Sequence, residues 1–199
     1  MQSDGATIPN LDYVLSLDTP EFSHFSGNVF VLWVRDENFF EWASADIVIA
    51  NLTLDWRPTD KLRLEGIYQL QSVARRTDGR TVNVQRSPRL KLEYQLSRPT
   101  FLRLVGEYTT ERQAALKDDT RTGAPILIFD AAAGTYVRAE AFGRRSFRGD
   151  FLFPYQPTPG TVLFAGYGST LRDPTELGRA SLRRSADGFF LKLSYLFQM

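Results

Sequence analysis

Residues 82–96, with the sequence VNVQRSPRLKLEYQL, alternate between apolar and polar side chains along most of their length. Val82, Val84, Leu90 and Leu92 share one side of an extended chain, and the odd-numbered residues of the other side are polar or charged. A period of two is typical of a β-strand whose two faces meet different surroundings. This segment therefore predicts a long strand with one apolar face and one charged face.

The same alternation recurs through the chain, and no stretch has a competing helical period. Tight turns containing proline separate some of the runs, whereas the connections at 36–44, 78–80, 116–143 and 173–185 vary in length. The alternation is weakest in the first two runs, so residues 1–44 are poorly defined at this level. The runs predict one all-β domain over residues 1–199, an antiparallel up-and-down barrel with strands near 11–17, 25–35, 45–57, 61–77, 82–97, 101–115, 144–156, 161–172 and 186–198.

Two kinds of barrel fit this pattern. A soluble lipocalin-like barrel points its apolar face inward around an apolar ligand, whereas an outer-membrane barrel points that face towards lipid. Strands of ten or more residues cross an apolar layer of about 25 Å when tilted near 40°. Short turns at one end and longer loops at the other are typical of outer-membrane barrels. We therefore expect a transmembrane β-barrel.

This interpretation assigns the side chains of each face. The aromatic residues near the tight turns and the C-terminus form a membrane-interface girdle: Trp56, Tyr94, Tyr155, Tyr195 and Phe197. The charged residues of the opposite face line the lumen: Arg63, Glu65, Arg75, Arg89, Lys91, Glu93, Arg103, Glu107, Glu111, Arg148 and Asp150. The turns near 78–80 and 98–100 place Glu65 opposite residues 91–93, and Glu107 opposite residues 89–91. Opposite charges across strands form either a salt-bridged wall or a polar path for solutes.

Composition excludes several classes of function. With 24 basic and 23 acidic residues, the chain lacks the positive surplus expected of a nucleic-acid-binding protein. It has no cysteine and one histidine, His24, which leaves little basis for a cofactor, a metal or a disulfide framework. The opening MQSDGATIPN has neither the basic nor the apolar part of a signal peptide.

Four segments carry a resemblance to a known family: FLRLVGEY (101–108), RTGAPILIFDAAAGTYVRA (121–139), DFLFPYQPTPGTVLFAGYGSTL (150–171) and DGFFLKLSYLFQM (187–199). Residues 45–199 resemble the C-terminal barrel of an uncharacterised outer-membrane family. Its full-length members carry a signal peptide and a carbohydrate-binding family-nine-like β-sandwich before the barrel. The resemblance implies the outer membrane of a Gram-negative-type bacterium, with outer-membrane lipid and carbohydrate as the expected partners. It carries over no ligand-binding residue.

The last strand predicts a further partner, the barrel-insertion machinery. Every second position at the C-terminus is apolar or aromatic, which resembles the terminal signal that this machinery recognises: Leu191, Leu193, Tyr195, Phe197 and Met199. The usual final residue is aromatic, and Met199 departs from this. Nine strands is an odd number, whereas bacterial single-chain barrels have an even number. Either the first strand is assigned wrongly and the remaining eight close into a barrel, or further strands are absent. We expect the second, with the chain as the C-terminal part of a larger barrel.

The functional expectation is a non-enzymatic barrel for passage or surface binding of carbohydrate-related solutes. Loop 116–143 is expected to be extracellular and to contain an extra hairpin. Its acids Asp118, Asp119 and Asp130 match no known calcium-loop spacing. The alternative is a barrel-embedded hydrolase that uses His24 with Ser26 and Asp18 or Asp36.

Overall fold

The computed structural model describes residues 10–158, 160–173 and 181–195. β-strands are the regular secondary structure of these residues, which contain no helix, and the prediction of an all-β fold is confirmed. No described segment forms a helix long and apolar enough to cross a membrane. The strands are β1 (Leu11–Asp18), β2 (Phe25–Asn38), β3 (Ala43–Thr59), β4 (Leu62–Arg75), β5 (Thr81–Ser97), β6 (Thr100–Gln113), β7 (Leu127–Asp130), β8 (Thr135–Arg138), β9 (Phe142–Thr158), β10 (Thr161–Arg172) and β11 (Arg183–Tyr195).

Nine of these strands form one antiparallel sheet in the order β1-β2-β3-β4-β5-β6-β9-β10-β11. Each strand pairs with its neighbour in sequence, apart from the short hairpin β7–β8, which is inserted between β6 and β9. This is the predicted up-and-down connectivity, and the predicted extra hairpin is also confirmed. Within the described residues β2 pairs with β1 and β3, and β11 pairs with β10, so the sheet is open. The prediction that further strands complete a barrel stays a prediction.

The register places one apolar face on the same side of the whole sheet. Strand β1 joins this face through Tyr13 opposite Trp33 and Leu15 opposite Val31. Large apolar side chains stand directly opposite one another across the other eight strands, in a single row made of Phe25, Trp56, Leu64, Leu92, Leu104, Phe151, Tyr167 and Phe189. We call this side the apolar face and the other side the polar face.

The apolar face is the more exposed of the two in the centre of the sheet. Leu90 and Leu104 are 56% and 47% exposed. The side chains of Lys91 and Glu93, which point the other way, are only 20% and 19% exposed. When a sheet curls around its polar face, we expect its charged side chains to be less exposed than the leucine side chains of the other face.

The polar face is not polar everywhere, which explains why the first strands are hard to recognise from sequence. Val14 stands opposite Leu32, and Leu32 stands opposite Ile49, all on the polar side. Val34 and Ile47 form a second such pair. Strands β1 and β2 therefore have apolar residues on both sides, and the alternation that marks the later strands is weak in them.

The connections 39–42, 76–80 and 114–141 lie at one end of the sheet, where β10 also ends and β11 begins, and we call this the loop end. The tight turns lie at the other end, the turn end. The small buried core lies at the loop end. Ala45, Val73 and Val82 are almost fully buried, with Ile47 and Leu116 packed against them. Ala45 and Val73 point to the polar side, so residues of loop 114–141 cover this face there. A register shift between Val73 and Ala74 in the β4–β5 pairing frees Val82 to join them.

Candidate functional site

The ion pairs of the polar face that lie nearest the turn end are those of Asp55. Its carboxylate accepts hydrogen bonds from Arg63 and, at 3.0 Å, from Arg57 Nε. The side chain of Asp55 is only 12% exposed, so the two guanidinium groups supply the partners that a covered carboxylate needs. Asp55 was not identified from the sequence, although it precedes Trp56 in the alternation of its run and so belongs to the polar face.

The centre of the polar face carries two cross-strand ion pairs. Glu65 stands directly opposite Lys91, with 2.6 Å between Glu65 Oε2 and Lys91 Nζ. Glu93 stands opposite Arg103, with 2.6 Å between Glu93 Oε1 and Arg103 Nη2. The predicted register of Glu65 is thus confirmed. Each pair stabilises the ladder by about 0.2–1 kcal/mol. Together with Asp55 and Arg63 these four residues form the central charged patch.

Other predicted lining residues extend the patch along β5, β6 and β9. Glu107 stands opposite Arg89 on one side, as predicted, and opposite Arg148 on the other. Arg148 Nε donates to Asp150 Oδ2 at 3.0 Å. Glu111 lies nearer the loop end, where its Oε1 is 3.4 Å from Asn83 Nδ2. These residues share the polar face, so the structure brings them to one side of the sheet.

Arg75 occupies a different environment from the rest of the predicted lining set. It lies on the polar side at the loop end, but its side chain is only 6% exposed. Its Nε and Nη2 donate to Glu41 at 2.8 and 2.5 Å, and its Nη2 also donates to the carbonyl oxygen of Ala115. Glu41 Oε1 accepts a further hydrogen bond from the backbone N–H of Lys117. Arg75 therefore holds loop 114–141 against the polar face and does not line an open surface.

The polar face changes character in the last strands, where a cavity of about 550 Å³ opens. Glycines replace charged residues there: Gly166 stands opposite Phe190, and Gly168 stands opposite Asp150. A Cβ on Gly166 would clash with Cε1 of Phe190, so the absence of a side chain leaves room for the ring. The cavity is lined by Phe190 together with Arg148 and Asp150. An aromatic ring beside charged hydrogen-bonding groups is suited to a polar solute with an apolar flank.

The predicted aromatic girdle forms one group of side chains. Trp56, Tyr94, Tyr155 and Tyr195 all lie on the apolar face near the turn end and are 40–59% exposed. Phe25 extends this group to β2, where it stands opposite Trp56. Phe197 lies outside the described residues.

The residues of the hydrolase hypothesis do not come together as a triad. His24 Nδ1 is hydrogen-bonded to the carbonyl oxygen of Arg57 at 3.2 Å. Asp18 Oδ1 accepts from Asn28 Nδ2 at 2.6 Å. Asp36 lies ten residues beyond Ser26 in β2, about 33 Å along the strand. A cavity of about 460 Å³ adjoins His24, but its other lining residues include Arg57, Asp60 and Lys61.

The acids of loop 116–143 have partners within the protein. Asp118 accepts hydrogen bonds from the backbone N–H and hydroxyl groups of Thr120 and Thr122, and these hold the pKa of its carboxyl far below the usual range. Asp119 accepts from the Thr77 hydroxyl, and Asp130 accepts from backbone N–H groups in its own turn. Among the described residues no three potential ligands are grouped to hold a metal ion.

Comparison of the chain with models of known protein families, with curated proteins and with solved structures finds no match. The resemblance to an outer-membrane family therefore stays a prediction, and the functional assignment depends on the geometry of the two faces.

Proposed function

We propose that the chain is part of an outer-membrane β-barrel, with its apolar face against lipid and its polar face towards the lumen. One observation carries this proposal: the apolar face runs across all nine strands, and each strand has at least one large side chain exposed on it. An exposed apolar surface that is continuous over a whole sheet is unfavourable in water, but contact with the lipid of a bilayer stabilises it. The aromatic side chains at the turn end suit the membrane–water interface.

The burial pattern favours this arrangement over a soluble lipocalin-like barrel. A soluble barrel covers its apolar face and exposes its charged face. Here the order is reversed in the centre of the sheet, where Leu90 is more exposed than its neighbours Lys91 and Glu93. Ion pairs between the charged groups suit a partly enclosed surface, because each charge keeps a partner after losing water.

We further propose a non-enzymatic role in the passage or surface binding of carbohydrate-related solutes. The cavity beside Phe190 supports this role, since a sugar presents C–H groups to an aromatic ring and hydroxyl groups to charged residues. Arg148 and Asp150 supply a donor and an acceptor in the same cavity. The carbohydrate class itself comes from the family resemblance.

Membrane insertion is tested by refolding the chain with and without phosphatidylcholine vesicles. We expect β-sheet circular dichroism and protection of the strands from protease only in the presence of lipid or detergent. The apolar face is the reason, since nothing else in the described residues covers it. A chain that folds in buffer and elutes as a compact monomer would support the soluble barrel.

Solute binding is tested with maltohexaose and the detergent-folded chain by titration calorimetry. Leu191 follows Phe190 in β11, points to the opposite face and is not among the described residues that line the cavity, so it provides the control. Phe190→Ala is expected to weaken binding about fivefold, corresponding to about 1 kcal/mol of ring contact, whereas Leu191→Ala leaves binding unchanged. No binding by the unaltered chain, or equal losses in the two variants, would refute the solute site while leaving membrane insertion intact.

A further inference from the structure

A group of arginines lies on the apolar face at the loop end, just beyond the last large apolar side chains. Arg86 of β5 stands opposite Thr110 of β6, and Thr110 stands opposite Arg145 of β9. Arg112 lies two residues beyond Thr110, on the same side of the sheet. We call Arg86, Arg112 and Arg145 the arginine collar. Its arginines interrupt a face that is apolar from the turn end up to Tyr108 and Phe147, which stand opposite each other.

Two of the three collar arginines, unlike Lys91 and Arg103 on the polar face, have no carboxylate partner among the described residues. Arg86 and Arg112 are exposed, and neither forms an ion pair with any residue that the structure describes. Arg145 approaches one carboxylate oxygen, Asp173 Oδ2, at 4.0 Å. By contrast, Lys91 and Arg103 on the polar face are each within 2.6 Å of a carboxylate oxygen. The collar therefore has positive charge that is available to an external anion.

A cavity next to these arginines has room for an anion. Its volume is about 670 Å³, and all three collar arginines line it together with Tyr108 and Thr110. Guanidinium groups bind phosphate oxygens through two parallel hydrogen bonds, and the Thr110 hydroxyl adds a further donor. Thr110 lies two positions beyond Tyr108, about 7 Å along the strand. This puts the collar at head-group depth when the apolar face below it is in hydrocarbon.

We propose that the arginine collar binds the phosphate monoester head group of an anionic membrane lipid. The proposal rests on the proposed membrane location, since it places acyl chains against Tyr108 and Phe147 and the phosphate among the arginines. Basic residues near an anionic membrane surface each contribute about 1 kcal/mol, or roughly fivefold in affinity. Bound lipid would thus be selected by head group as well as held by its chains.

The test measures lipid selectivity by electron paramagnetic resonance of spin-labelled lipids in phosphatidylcholine vesicles that contain the folded chain. Phosphatidic acid carries a phosphate monoester, and spin-labelled phosphatidylcholine is the neutral reference. We expect the unaltered chain to favour phosphatidic acid at least fivefold at low salt. The variant R86Q/R112Q should lose most of this preference. The control R89Q/R103Q removes the same charge from β5 and β6 but from the polar face, and should keep it.

Several results would contradict the proposal that the arginine collar binds a lipid head group. One is an equal preference in R86Q/R112Q and in the unaltered chain, and another is an equal loss in the control. A third is binding of inorganic phosphate by the detergent-folded chain as tight as that of phosphatidic acid, which would make the site one for free phosphate. Protease protection in the same vesicles separates the two proposals, because an inserted chain without lipid preference refutes only the collar. Circular dichroism of each variant confirms that the sheet has formed.

Discussion

Leu90→Arg is expected to reduce the free energy of unfolding of the vesicle-folded chain by about 2–4 kcal/mol. Leu90 lies midway along β5 between Tyr94 of the girdle and Arg86 of the collar, and it is exposed on the apolar face. If that face is in hydrocarbon, this position is the deepest of the strand. An arginine there must either lose its water or distort the bilayer. Urea titration followed by tryptophan fluorescence measures the loss.

Two further variants make the result specific to depth and face. Leu92→Arg lies one apolar-face position nearer Tyr94, so its cost should be smaller than that of Leu90→Arg. Gln69→Arg is the control on the polar face, where Gln69 stands opposite Ser87 in an already polar row. It should cost less than either leucine variant. If Gln69→Arg is the most damaging of the three, the two faces are assigned the wrong way round.

Glu41→Ala is expected to cost about 3–5 kcal/mol, because it removes one partner of a buried ion pair. The Glu41 side chain is fully buried and that of Arg75 nearly so, which leaves the guanidinium without a countercharge. Lys117 also loses the carboxylate that accepts its backbone N–H. The segment around Lys117 and Arg121 should therefore become a faster site of trypsin cleavage, in addition to the loss of stability in urea.

A double variant separates the ion pair from the packing around it. In E41M/R75M both charges are absent, so no uncompensated charge remains, and methionine fills part of the volume. We expect this variant to be more stable than Glu41→Ala, in line with other buried pairs that have been replaced by apolar residues. If the single variant loses little stability and the cleavage rate near Lys117 does not change, the pair does not fasten the loop.

The sequence allowed much of this fold to be predicted, because alternation is a local property. The nine main strands follow from it, and turn positions were enough to place Glu65 opposite residues 91–93, within which the structure pairs it with Lys91. Strands β1 and β2 were the least certain, because residues such as Val14 and Leu32 make both of their sides apolar.

The least predictable parts of the site depend on contacts that no local pattern records. Arg75 continues the charged side of β4 in sequence, so it was grouped with the lumen-lining residues. Its burial comes from Glu41 and from residues of the loop after β6, which are 34 and 40 positions away in the chain. The arginine collar was also missed, because Arg86 and Arg112 interrupt apolar sides and become a group only when the register of β5, β6 and β9 is known.

The strand order also has a consequence for how the sheet assembles. Because neighbours in the sheet are neighbours in sequence at every step but one, most pairings close only a short loop, and the chain can add strands one after another from a formed hairpin. The exception is β6 with β9, where residues 114–141 must first be looped out. This step carries the largest entropic cost of closure, so we expect it to divide assembly into an early six-stranded unit and a later three-stranded one.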